Sequence, residues 1–178
     1  MTELLILGAL FKHPMSGYDL QIMLQKTHAS SWANVRVGSI YYALKHLLSK
    51  ELIEVLSYEL TGKRGKSTYA ITAAGSAYYQ SSISKNLERT ELTYPVQLYS
   101  ALNFIEDIDT AKADDALGKR QLKLEEMLHQ LQMDYEEKQA YFDGFMPHKS
   151  TLVFAHMKRT LESELDLIIS LRTAEETK

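Results

Sequence analysis

Residues 37–72 constrain the fold more than any other stretch of this chain. From 37 to about 50, Ile40, Tyr41, Leu44, Leu47 and Leu48 recur at spacings of three and four, which predicts an amphipathic helix with one buried face. The pattern then changes. Residues 53–60 and 67–72 read as two strands, joined by Thr61-Gly62-Lys63-Arg64-Gly65-Lys66, a turn rich in glycine and positive charge. A helix followed directly by a hairpin with a basic tip leaves few architectures open.

The flanking segments narrow them further. Residues 3–12 read as a helix carrying Leu4, Ile6, Leu7, Leu10 and Phe11, and His13-Pro14-Met15 ends it, because a residue before proline avoids the helical region. Ser16 is a good N-cap for a second helix. Asp19 stands three residues on, the spacing of a capping box with Asp in place of Glu or Gln. Leu20, Met23 and Leu24 form its apolar stripe, and the polar residues 27–34 read as a turn. Thr72 is the expected N-cap of a fourth helix from Ala73.

Tyr94-Pro95 marks a domain boundary, giving domains 1–90 and 96–178. A short helix is expected over 96–105, then a long one capped by Thr110 and running to about 142. Its apolar seam is Leu117, Leu124, Leu128, Leu131, Tyr135 and Phe142, with polar Gln121 and Lys138 at the intervening positions, and the steps alternate three and four as in a coiled coil. Gly144 and Pro147 break the chain. A last helix over 151–171 places Phe154, Met157, Leu161, Leu165 and Ile168 on one face. The expected fold is mainly α with a small two-stranded β-wing, a winged helix-turn-helix followed by an all-helical, coiled-coil-like dimerisation domain. Leu117, Leu124, Leu128, Leu131, Tyr135, Leu161, Leu165 and Ile168 are the expected dimerisation residues.

Charge separates the two halves. Residues 1–85 hold nine Lys/Arg against five Asp/Glu, and residues 86–178 hold eleven against eighteen, within a net charge of −3. A basic half suits phosphates, and an acidic half would be repelled by them. The chain has no cysteine, which excludes disulfides, thiolate zinc sites and a cysteine nucleophile and is compatible with a reducing cytoplasm. The six histidines, at 13, 28, 46, 129, 148 and 156, form no His-Glu-x-x-His spacing. There is no Gly-x-Ser-x-Gly elbow, and Gly62 to Gly65 lacks the spacing of a phosphate-binding loop. His156 with Glu162 or Glu164 reads as surface positions on a helix rather than an acid–base pair. No catalytic residue, metal or cofactor is expected. The longest apolar stretch, 4–11, is too short to span a bilayer.

The element order fits DNA. The third helix has a small, hydrogen-bonding outer face of a width that enters the major groove. Arg36, Gly38, Ser39, Tyr42, Lys45 and His46 lie along it, and Ser16 and Tyr18 open the helix before it. Lys63, Arg64 and Lys66 at the wing suit phosphate or minor-groove contacts. Lys45 and Lys50, taken singly, read as solvated, and the basic turn alone fits an ordinary hairpin loop equally well. Tyr41 is placed in the core by its position on the apolar face. Trp32 is either a packing anchor between the second and third helices or an aromatic facing a ligand. A protein-docking adaptor is the competing reading, and it predicts no retention on DNA at any low salt.

These residues also resemble a known family. Leu5-Ile6-Leu7-Gly8-Ala9-Leu10, Met15-Ser16-Gly17-Tyr18-Asp19-Leu20, Gly38-Ser39-Ile40-Tyr41-Tyr42-Ala43-Leu44-Lys45-His46-Leu47, Leu52-Ile53-Glu54 and Gly65-Lys66-Ser67-Thr68-Tyr69-Ala70-Ile71-Thr72-Ala73-Ala74-Gly75 are similar, in order, to the PadR family of bacterial transcriptional regulators. Tyr42 departs from the proline of many members, and residues 29–37 carry nothing over. The second half is similar to the longer PadR subgroup in pattern and length. The resemblance implies a cytoplasmic homodimer, usually a repressor, on double-stranded DNA with an inverted-repeat operator. In some members an aromatic or phenolic small molecule binds between the domains and releases DNA.

Overall fold

Two units follow one another along the chain, Met1–Leu92 and Thr93–Lys178. A computed structural model describes residues 1–26, 36–61, 64–90 and 93–175. The first unit runs α1 (Thr2–Leu10), β1 (Met15–Ser16), α2 (Gly17–Lys26), α3 (Val37–Ser49), β2 (Ile53–Thr61), β3 (Arg64–Ile71) and α4 (Ala73–Glu88). The turn expected over 27–34 and Trp32 lie outside the described residues.

The three N-terminal helices bury the residues that their spacing selects. Ile6, Leu7 and Leu10 of α1, Leu20 and Leu24 of α2, and Ile40, Leu44 and Leu47 of α3 meet Ile53 in one core. Each such side chain stabilises the unit by about 1.5–3 kcal/mol relative to exposure. Met15, the residue after Pro14, packs half-buried against this core.

The sheet has three strands where two were expected, in the order β1-β3-β2. Pro14 ends the helical path of α1, and the extended Met15–Ser16 that follows lies antiparallel beside β3, with Met15 opposite Tyr69 and Ser16 opposite Thr68. The basic turn is also shorter than expected. β2 runs to Thr61 and β3 begins at Arg64, so Arg64 and Lys66 belong to a strand whose ladder continues to Leu60↔Gly65 and Thr61↔Arg64. A bulge between Val55 and Ser57 interrupts the β2 ladder.

Thr72 caps α4 as the sequence predicts, its hydroxyl oxygen accepting from the Gly75 amide at 3.0 Å. The same hydroxyl donates to the Glu51 carbonyl at 2.9 Å. The Thr72 amide donates to the Leu52 carbonyl at 3.1 Å. This knot joins the end of α3, the start of β2 and the start of α4. Glu51 stands in it with φ 56, a left-handed conformation that favours glycine. Glu51→Gly is therefore expected to stabilise the unit by about 0.5–1 kcal/mol, read as a rise in thermal midpoint of a few degrees. A lower midpoint would show that the Glu51 side chain contributes more than its backbone costs.

The second unit consists of α5 (Val96–Leu102), a 3-10 turn (Ile105–Asp107), α6 (Thr110–Tyr141) and α7 (His148–Glu175). The α6 cap is Asp109, not Thr110. Its carboxylate accepts from the amides of Ala111 at 3.0 Å and Lys112 at 3.4 Å, and an N-terminal carboxylate also suits the helix dipole. The turn between α6 and α7 uses Asp143 and Gly144, both at positive φ. The two long helices then pack as an antiparallel hairpin.

Much of the apolar seam is used inside this hairpin. Leu117, Leu124 and Ile168 are buried together with Leu98, and half-buried Leu161 and Leu165 pack against them. Leu131 and Phe154 are also buried, and Tyr135 meets Phe154 edge to face at 5.3 Å. The polar seam positions find partners on α7. Gln121 accepts from the Arg172 guanidinium at 2.7 Å, and the Lys138 ammonium lies 5.4 Å over the Phe154 ring, where burial lowers its pKa. Arg172 also binds Asp114 at 2.7 Å, and Arg120 reaches Glu164 at 2.9 Å.

Candidate nucleic-acid interface

The outer face of α3 is open. Arg36, Gly38 and Lys45 are exposed, and Tyr42 is 74% exposed. The helix has no side-chain cap from Arg36. Instead the Ser39 hydroxyl accepts from the Arg36 amide at 3.1 Å and donates to the Arg36 carbonyl at 2.6 Å. Ser39 thus fixes the first turn of α3, and its hydroxyl proton is already engaged.

His46 is also engaged. Its Nδ1 lies 2.5 Å from the Glu3 carboxylate of α1, so it ties α3 to its scaffold while the ring stays half-exposed. The Tyr42 ring lies nearly parallel to it, at 6.4 Å between centroids and 17° between planes. An imidazole held by α1 thus stands one helical turn beyond the exposed phenol.

Ser16 is only 2% exposed and cannot be a surface contact. Its hydroxyl donates to Asp19 Oδ2 at 2.7 Å and accepts from the Asp19 amide at 3.2 Å, which is the expected capping box. The Ser16 amide adds a third bond to the same carboxylate oxygen at 3.3 Å. Together with the Lys66 charge these bonds hold the Asp19 carboxyl below its ordinary range, the Ser16 hydroxyl bond being the largest cause and partial burial opposing it. A carboxyl depressed by folding stabilises the fold fully at neutral pH. That contribution is lost only as pH falls through the depressed value. Asp19→Asn should therefore lower stability at pH 7 and flatten the acid limb of the stability–pH profile below about pH 4, the two proteins converging in acid. An unaltered acid limb would mean that the carboxylate makes no net contribution.

Tyr41 is half-exposed rather than in the core. Its ring crosses Gly17, where an added Cβ would come within 2.9 Å of it. The missing side chain at Gly17 lets α3 approach the first turn of α2. Tyr18, 61% exposed, stands beside this contact. Between α2, α3 and β3 lies a groove of about 470 Å³ lined by Tyr18, Tyr41, Lys66, Ser67 and Tyr69. The Lys66 ammonium is 3.4 Å from Asp19. Lys63 lies outside the described residues, and Arg64 is placed by its backbone alone.

The structure therefore brings together Tyr18, Lys66, Arg36 at the N-cap of α3 and the α3 residues Gly38, Tyr42 and Lys45 on one unit. It withdraws Ser16 to an internal contact, and it engages Nδ1 of the half-exposed His46 with Glu3. Sequence reasoning missed Tyr41, Ser67 and Tyr69 as lining of the groove. Gly17, small at the point where two helices approach, was the available signal for Tyr41. Among the described residues no group of three His, Cys, Asp or Glu side chains is placed to hold a metal, and no helix is long and apolar enough to cross a membrane.

A family comparison decides what this unit is. The model of the transcriptional regulator PadR-like family matches residues 6–81. The chain carries a PadR-like domain. The third helix and the hairpin expected of it are α3 and β2–β3. No curated relative matches the chain by sequence. Among solved structures, Bacillus subtilis PadR in complex with operator DNA is 23% identical, with a TM-score of 0.72 over 97% of this chain and 96% of that one. The same protein in complex with p-coumaric acid is 21% identical, with a TM-score of 0.73 over 97% and 96%. The PadR-like transcriptional regulator BC1756 from Bacillus cereus is 17% identical, with a TM-score of 0.67 over 97% and 94%. At these identities the likeness establishes the fold, and it extends past the PadR-like domain into the helical second unit.

Proposed function

We propose that the protein is a sequence-specific DNA-binding transcriptional regulator, a cytoplasmic homodimer that represses from an inverted-repeat operator and has no enzymatic role. The observation that carries this reading is the open outer face of α3 in a PadR-like domain, with the basic strand β3 nearby. Arg36, Gly38, Tyr42 and Lys45 enter the major groove, and Lys63, Arg64 and Lys66 follow the flanking phosphates. The complex of Bacillus subtilis PadR with operator DNA supports it.

Pairing belongs to the second unit. Leu117, Leu124 and Ile168 shape the hairpin, and the surface left for a second copy is an apolar groove of about 480 Å³ lined by Leu128, Leu131, Tyr135 and Phe154. Two paired hairpins set the reading helices about one DNA turn apart, roughly 34 Å. The complex of Bacillus subtilis PadR with p-coumaric acid supports a small aromatic effector that favours one arrangement of the protomers and so releases DNA.

Selection of bound sites from a random DNA pool by the purified protein tests the whole reading. A two-fold symmetric consensus is the expected result, and the absence of any enriched sequence would overturn it. Replacing Lys63, Arg64 and Lys66 by alanine should weaken binding to every sequence and reduce the salt slope by up to about 2.7, from three lost phosphate contacts. An unchanged slope would remove the wing from the interface.

A further inference from the structure

Asp19 is a carboxylate on the surface that meets DNA, and the capping box accounts for only part of its geometry. Ser16 holds Oδ2 with two donors, at 2.7 and 3.3 Å, and the Lys66 ammonium approaches the same oxygen at 3.4 Å. The carboxylate belongs to α2 and the ammonium to β3, so the pair ties the two elements together, and Lys66 also lines the groove with Tyr18, Tyr41 and Ser67. An oxygen anion held by fixed donors beside a lysine occupies the position of a phosphate oxygen relative to that lysine.

We propose that Asp19 is a specificity-determining residue, its carboxylate holding Lys66 in place of a DNA phosphate so that a poorly seated duplex gains nothing from this cation. The inference rests on the DNA-binding reading above. Non-specific affinity comes almost entirely from phosphate contacts and the counterions they release. A lysine already paired to an internal anion withholds one such contact. Both partners are close to half exposed, at 47%, so the pair is weak enough for a correctly placed phosphate to displace. The carboxylate stays in place when Lys66 leaves, because Ser16 and not Lys66 fixes it.

Asp19→Asn separates the two roles, since the amide oxygen still accepts from Ser16 but carries no charge. Asp19→Gln is a second neutral variant, glutamine being an ordinary capping-box partner. Each is compared with Lys66→Ala and with the double variants on a non-specific duplex and on the selected operator, across a salt series. With Lys66 present, the neutral variants should bind the non-specific duplex about tenfold more tightly at roughly 0.05 M salt, with a slope steeper by about 0.9. Operator affinity should rise less, narrowing the specificity ratio. With Lys66 replaced, the neutral variants should leave the slope unchanged. An equal gain with and without Lys66 would overturn the proposal, reducing Asp19 to long-range repulsion. Weaker non-specific binding would overturn it too, because the pair would then be holding the wing in position. Wild-type protein that binds no DNA at the lowest salt would overturn the functional reading and this inference together.

Discussion

Gly75→Ala is expected to unfold the first unit or bring it close to unfolding. A Cβ at this position would lie 1.9 Å from the Leu52 carbonyl oxygen and 2.9 Å from the Leu52 carbonyl carbon and Ile71 Cγ1. The obstacle is backbone, so no rotamer change relieves it. Moving Leu52 breaks the bond from the Thr72 amide, and moving α4 breaks the cap from Thr72 to Gly75. A lost hydrogen bond costs about 1 kcal/mol, a lost cap about 1 kcal/mol, and overpacking about 1–3 kcal/mol. The sum, about 3–5 kcal/mol, is a large part of the stability of a domain this size. Thermal unfolding followed by circular dichroism should show the midpoint of this unit lowered by more than about 10 °C. A shift of one or two degrees would mean that α4 slides away from Leu52 without losing its cap.

Leu124→Asp and Leu128→Asp are expected to fail in different ways. Leu124 is buried among Leu117, Leu98 and Ile168, so a carboxylate there is desolvated and unpaired. The hairpin itself should melt, at a cost of several kcal/mol. Leu128 is half-buried and lines the groove beside Tyr135 and Phe154. Aspartate there can reach water in a single protomer but not beneath a partner. The Leu128→Asp protein should keep its helicity, sediment as a monomer and bind operator at least about a hundredfold more weakly, because two half-sites no longer act together. A stable dimer of that variant would move the pairing surface off this groove. Loss of helicity in Leu128→Asp would instead place Leu128 in the hairpin core.

Local chemistry made several elements legible before any coordinates. The Ser16–Asp19 spacing, the Thr72 cap and the period of α3 each express interactions within a few residues, and each is in place. What escaped depends on distant partners. Nothing near His46 in the sequence announces Glu3, forty-three residues away, yet that contact engages Nδ1 of the half-exposed imidazole. Tyr41 sits on the apolar side of α3 by period, but the surface opposite it is Gly17, too small to cover a phenol. The long seam has the period of a coiled coil between protomers, and α7 of the same chain satisfies much of it. Periodicity identifies a face that must be buried and is silent on which helix buries it.

The bulge at Val55–Ser57 bears on how the protein behaves at high concentration. β2 is an outer strand of the three, and Leu56, released from the ladder there, is exposed. An open edge with apolar side chains is ordinarily a template for adding further strands. A break in the hydrogen-bond spacing deprives an incoming strand of a continuous register. The irregularity therefore protects against edge-to-edge aggregation. A substitution that restored an even ladder through residue 56 would tidy the hairpin and make the protein less soluble.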